Sequence, residues 1–178
     1  MGIREVKTMT EIDKTSYNPD HVARSIRIEI DAPASVVWDV LVDLAAYGEW
    51  NPFCVKCVST LEMGAPVVMT IAMPWDPSET AVMTEYLCAY EPEKLLAWKM
   101  DWSEPWPYAG RRDQVIEKLG PEKCAYYSTD AFLGESGIHI ARFGQSWISA
   151  AFTATAKALK VRAEQIYAAQ KTKKAVNA

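Results

Sequence analysis

Arg112, Gln114, Tyr126, Ser128 and Asp130 are the side chains of this sequence whose types and spacing could do chemistry together. They occupy alternate positions of two runs, 111–119 and 123–133, that read as β-strands, so each set can share one face. With Arg111, Asp113 and Glu117 turned to solvent, Arg112, Gln114 and Ile116 turn inward. Tyr126, Ser128, Asp130 and Phe132 form the matching inward set, and Lys99 and Asp101 outside leave Leu96, Trp98, Met100 and Trp102 inside. An apolar space holding a few convergent polar groups is the usual make-up of a small-molecule site. Arg112 would then hold a carboxylate, enolate or phenolate oxygen, and a partly desolvated Asp130 would act as general acid or base. The alternative is that Arg112 and Asp130 pair only with each other, because a buried charge needs a partner.

Other chemistries find little support. The Cys54-x-x-Cys57 spacing invites a zinc or redox reading, but 53–59 reads as a strand, where residues three apart face opposite ways. No second pair completes a four-ligand set, and His21 and His139 stand far apart without an acidic cluster, so no metal and no cofactor are expected. No glycine-rich phosphate loop and no Gly-x-Ser-x-Gly is present. A net charge of −4 argues against nucleic acid as partner. No apolar run reaches the ~18 residues of a membrane span, and residues 1–21 lack the pattern of a signal peptide. A protein that does not span membranes, resident in the cytoplasm, is the expectation. Seven Trp and eight Tyr in 178 residues supply large apolar area with polar handles, suited to a core or to a pocket.

The elements that must position these residues follow from periodicity. Residues 1–22 are polar and aperiodic and predict a loose N-terminal arm. Within 23–30, Ile26, Ile28 and Ile30 alternate with Arg27 and Glu29, a half-buried strand. Pro33 opens a helix carrying Val36, Val37, Val40 and Leu41, with Asp31 as candidate cap, and a second short helix around 45–49 ends at Asn51-Pro52. Strands are predicted at 53–60, 66–73, 79–90, 95–102, 111–119 and 123–133. A helix over about 141–169 carries a stripe of Phe143, Trp147, Ala150, Ala151, Ala154, Ala158, Val161 and Ile166, and 171–178 reads as a polar tail. The fold class is therefore α+β: one domain over 23–170, with a curved antiparallel sheet of seven strands gripping one long helix, and two short helices after the first strand. Phe143 and Trp147 are core residues in this reading, with ligand contact as their second role.

The ordered set Ile30-Asp-Ala-Pro33, Val37-Trp38-Asp39-Val40-Leu41, Tyr47-x-x-Trp50-Asn51-Pro52-Phe53 and Glu91-Pro92-x-x-Leu95-Leu96-x-Trp98 resembles the SRPBCC superfamily, in particular its polyketide cyclase/dehydrase and lipid-transport group. Gly64, Gly110, Phe132-x-Gly134 and the run from Phe152 to Glu164 extend the resemblance over about 24–167. Arg112, Gln114 and Ser128 depart from the residues common at those positions and point to a pocket adapted to a polar group. The resemblance implies a hydrophobic, aromatic or lipidic, polyketide-like ligand in an internal cavity. The protein would be a carrier, with a cofactor-free cyclase, dehydratase or lyase and a co-chaperone-like interaction protein as alternatives. It also implies that the loops carrying Trp75 and carrying Trp102, Trp106 and Tyr108 lie at the cavity mouth as an aromatic lip, or else form a satellite cluster or homodimer contact. His139, near that mouth, is a further acid/base candidate.

Overall fold

The computed structural model describes residues 18–76, 78–100, 109–133 and 137–176. The predicted first strand is broken in two: β1 (Val22–Arg24) and β2 (Ile28–Ile30) both pair antiparallel with β8 (Lys123–Leu133). Ile26 lies in the break, 43% exposed, and so leaves the inward row that alternation assigned it. The backbone N–H groups of Arg24 and Ile26 donate instead to Ser149 Oγ and Thr153 Oγ1 on the long helix, which satisfies donors the break leaves off the ladder.

Helix α1 (Ala34–Val42) and the single turn α2 (Tyr47–Trp50) follow. Pro33 occupies the N-cap of α1, which has no side-chain cap. Asp31 is not that cap; its own N–H donates to Glu164 on the long helix. The sheet then runs through β3 (Cys54–Val58), β4 (Pro66–Ala72), β5 (Thr80–Glu91), β6 (Leu95–Met100), β7 (Ala109–Gly120) and β8 in the spatial order β1-β8-β7-β6-β5-β4-β3. Every neighbouring pair is antiparallel, as short turns between sequential strands require. The curved sheet is closed on its inner side by α3 (Gly137–Val176), which packs on α1, β1, β2 and β8. This is the helix-grip architecture.

Two features of α3 correct the expectation from sequence. It starts earlier and absorbs most of the predicted polar tail, running 40 residues, about 60 Å. Its buried row is Ala141, Gly144, Phe152, Thr155, Ala156, Leu159 and Ala163, roughly one residue out of phase with the predicted stripe. Ala150 and Ala154 are exposed, as are Phe143 at 76% and Val161 at 54%. Alanines fit either face of a helix, so hydrophobicity alone could not fix the phase. A polar contact helps to fix it: Thr155 is buried because its hydroxyl reaches Asn51 Oδ1 at 3.2 Å.

Asn51 is the centre of that clasp. Its Oδ1 also accepts from the N–H groups of Phe53 and Cys54, at 3.0 and 2.9 Å, so one side chain joins the α2–β3 turn to α3. Just beyond, a bulge between Cys54 and Lys56 resets the alternation of β3. Cys54 and Cys57 are therefore both buried in the core, and the opposite-face argument fails at this one irregularity. The Cys54 thiol donates to the Lys56 carbonyl at 3.4 Å, and the neighbouring Cys54 sulfur, with burial, pushes the Cys57 thiol well above the ordinary range. No cluster of three or more metal-ligating side chains occurs among the described residues.

Candidate functional site

The inward faces of β6, β7 and β8 are the ones alternation predicts. Leu96, Trp98, Arg112, Gln114, Ile116, Tyr126, Ser128 and Phe132 are all buried. They divide into two layers along the helix. Toward the start of α3 the sheet and helix stand apart and enclose a cavity of about 280 Å³. Below it, Trp98, Gln114, Ser128 and Tyr126 fill the interior and are not among its lining residues.

The walls of the cavity are overwhelmingly apolar. Met69, Ile71, Met73 and Met83 come from β4, its end and β5; Met100 and Phe132 come from β6 and β8. The helix contributes Ile140, Phe143, Gly144, Trp147, Ile148 and Phe152, and Phe53 closes the side next to the Asn51 clasp. Helix and sheet meet closely at its edge: a Cβ on Gly137 would lie 2.6 Å from the carbonyl oxygen of Phe132, so only glycine lets α3 start there. Among the described residues three ionisable groups break the apolar lining, namely Arg112, Asp130 and Glu85.

Arg112 is 4% exposed, and its guanidinium lies 4.1 Å from the ring centre of Phe152 and 5.6 Å from that of Trp98. Aromatic faces supply part of the electrostatic partner a buried cation needs. No carboxylate supplies the rest: Nε is buried without a hydrogen-bond partner, the Tyr126 phenol lies beside the guanidinium, and none of the ion pairs among the described residues includes Arg112. Asp130 is its direct neighbour across the β7–β8 register, yet the two side chains face the cavity without forming an ion pair. Beneath Arg112 the donors Trp98 Nε1, Gln114 Nε2 and Ser128 Oγ are likewise unpartnered, while Tyr126 donates to Gln114 Oε1 at 3.3 Å.

Burial sets the protonation of both carboxyls. It pushes Asp130 up to about 6 against the opposing pull of Arg112, with Asp113 adding to the rise. It pushes Glu85 up to about 8, helped by the charge of Asp130 and again opposed by Arg112. Both side chains retain some accessible surface because they face the cavity, but they sit deep enough for desolvation to dominate. Burial also raises the phenols of Tyr47 and Tyr126.

Glu85 was missed from sequence. It sits inward opposite Val67 in the β4–β5 register. The outward partners Val68, Val82 and Tyr86 are apolar and exposed, so β5 lacks the polar-out signature that reveals an inner face. The usable signal was the row Met83, Glu85, Leu87. Of the predicted site residues, Met100, Arg112, Asp130, Phe132, Phe143 and Trp147 line the cavity. His139 is exposed and does not. Trp75 is 63% exposed, donates to Glu79 at 2.8 Å, and does not line it either. Trp102, Trp106 and Tyr108 lie outside the described residues. A wider groove at the other end of the molecule, about 640 Å³, is a shallow surface feature. Most of its polar groups already have partners: Tyr167 and Lys171 bond to Glu122, Lys123 pairs with Glu29, and Glu164 accepts from Lys160 and the Asp31 N–H.

Residues 21–118, more than half of the chain, match the family described as polyketide cyclase / dehydrase and lipid transport. The chain belongs to that family. Its membership in the wider SRPBCC superfamily agrees with solved structures of the same fold. The Zhui aromatase/cyclase from a Streptomyces species is 18% identical, with a TM-score of 0.62 over 82% of this chain and 95% of that one. A START superfamily protein from Mycobacterium smegmatis is 16% identical, with a TM-score of 0.57 over 82% and 98%. A norcoclaurine synthase from Thalictrum is 15% identical, with a TM-score of 0.58 over 81% and 94%. At these identities the likeness establishes the fold. No protein of curated function matches this member of the family in sequence. No helix among its described residues is long and apolar enough to cross a membrane.

Proposed function

We propose that this polyketide cyclase/dehydrase-type protein encloses a small, predominantly apolar molecule in the cavity and orients it by an oxygen-bearing end placed against Arg112. The observation that carries this reading is the guanidinium itself: almost wholly buried, stacked on aromatic faces, and free of any ion pair among the described residues. Removing one partner from a buried charge is strongly destabilising, so a cation kept in this state is best explained by a ligand that completes it. Native mass spectrometry of protein purified from its own host tests the reading. A retained small molecule, lost in Arg112→Met with the fold intact by circular dichroism, is the expected result. Retention unchanged in that variant would overturn the role of Arg112.

A second reading, proton-transfer catalysis without a cofactor, is favoured by one specific observation. Asp130 near 6 and Glu85 near 8 bracket neutrality, where an acid/base pair works best. In that case the retained ligand turns over in the wild type, and turnover falls by about 10²–10⁴ in Asp130→Asn. Unchanged turnover would exclude Asp130 as the acid/base group.

A further inference from the structure

We infer that the cavity takes up its ligand as an oxyanion together with a proton, so that Glu85 and Asp130 hold one more proton in the complex than in the free protein. This inference rests on the proposed role of the cavity and assigns the charge class of what it binds. The ring centres of Phe152 and Trp98 lie 4.1 and 5.6 Å from the guanidinium carbon, and Nε is buried without a hydrogen-bond partner, so the N–H edge of Arg112 that lines the cavity is what an acceptor can reach. A carboxylate fits such an edge better than a neutral carbonyl, because it brings the opposite charge and can accept two parallel N–H bonds from the guanidinium.

The wall around that edge determines the proton. Asp130 stands beside Arg112 on β8 and Glu85 faces it from β5. From β4 come only Met69 and Ile71, and from α3 only apolar side chains and Gly144. Asp113 influences Asp130, Cys54 influences Glu85, and the neutral phenols of Tyr47 and Tyr126 lie near Arg112. With Arg112 cationic, Asp130 ionised and Glu85 protonated, the three ionisable groups of the described lining sum to zero charge. An incoming anion brings that sum to −1 in an apolar enclosure, and protonation of Asp130 restores neutrality. The cost of an uncompensated charge there exceeds the cost of taking a proton from water at a pH near the carboxyl's own pKa. Burial has already raised both carboxyls toward that point.

Calorimetric titration of the full chain with 2-naphthoate, 2-naphthamide and 2-naphthylmethylamine tests this, each in two buffers of different ionisation enthalpy. The expected result is tightest binding of the naphthoate, with uptake of about one proton and affinity falling up to about tenfold per pH unit between about pH 6 and 8. The double variant Glu85→Gln, Asp130→Asn should abolish the uptake and flatten the pH dependence. Naphthoate binding without proton uptake, or a preference for the amide or the amine, overturns the inference and leaves the cavity as a binding site. Binding of none of the three removes the proposed function and this inference with it.

Discussion

At the scale of single residues, Glu85 and Asp130 make a pH signature that does not depend on any ligand. A carboxyl whose pKa is raised on folding binds more protons in the folded than in the unfolded chain, so stability falls as pH rises. Glu85 moves from 4.5 to about 8 and Asp130 from 3.8 to about 6. The contribution of the pair is therefore most favourable below about pH 4, weakens as Asp130 and then Glu85 lose their folded-state protons, and levels off above about pH 8. Urea unfolding of the wild type should show this decline between about pH 5 and 8, whereas most proteins gain stability over the acid part of that range. Glu85→Gln should be the more stable protein at pH 8.5, by on the order of 1–3 kcal/mol, and match the wild type near pH 5. A wild-type curve that rises from pH 5 to 8 and does so equally in the variant would show that neither carboxyl is desolvated as described.

At the scale of elements, the α2–β3 junction holds the grip together. Asn51 accepts three hydrogen bonds with one oxygen, two from the backbone entering β3 and one from Thr155. Asn51→Ala leaves buried donors unpaired and should cost about 2–4 kcal/mol in urea unfolding, whereas Thr155→Val, which removes only a donor, should cost less. The bulge makes a second constraint next to it. A Cβ on Gly48 would approach the Val55 carbonyl oxygen to 2.8 Å, so Gly48→Ala should destabilise by about 1–3 kcal/mol although the site is small and lies in a short helix. An Asn51→Ala protein as stable as wild type would show that the clasp does not hold the grip together. These elements also show what was legible in the sequence. The order of strands and helices, and the inner faces of β6 and β7, could be read because charged residues such as Lys99, Arg111, Asp113 and Glu117 mark the outer face; in β8 the row Tyr126, Ser128, Asp130 and Phe132 had to be read from alternation alone. The phase of α3 could not, because alanines cover several of its faces and a threonine–asparagine contact from outside the helix helps to set it. Nor could the facing of Cys54, because one extra residue in β3 inverts every parity argument beyond it. Glu85 stayed hidden for a related reason: both faces of β5 carry apolar side chains, and only the pairing with Val67 separates them.

At the scale of the molecule, the fold works by keeping sheet and helix in contact at one end and apart at the other. The filled end, with Tyr126, Leu159 and Ala163 all buried, carries the stability, and the open end carries the cavity. That division predicts that the cavity can be plugged at no cost to the fold. Gly110 is on the cavity wall beside Arg112, and a Cβ there would meet Asp130 Oδ1 at 3.6 Å and the Ala131 carbonyl at 3.9 Å, both ordinary contacts. Gly110→Leu therefore extends its side chain into free space and adds apolar contact with the methionines opposite, so its Tm should equal or exceed that of the wild type. Its response to ligand should vanish. A ligand at a hundred times its Kd stabilises a folded protein by about 2.7 kcal/mol, which for a chain of this size is roughly 5–10 °C in Tm. Thermal melts with saturating 2-naphthoate at pH 6 should show that shift in the wild type and none in Gly110→Leu. An equal shift in both proteins would place the bound molecule outside the cavity, and a plugged variant that no longer folds would mean that the open end is not separable from the core. Loss of the shift alone, with the melt otherwise intact, ties binding to the space that the unpaired guanidinium faces.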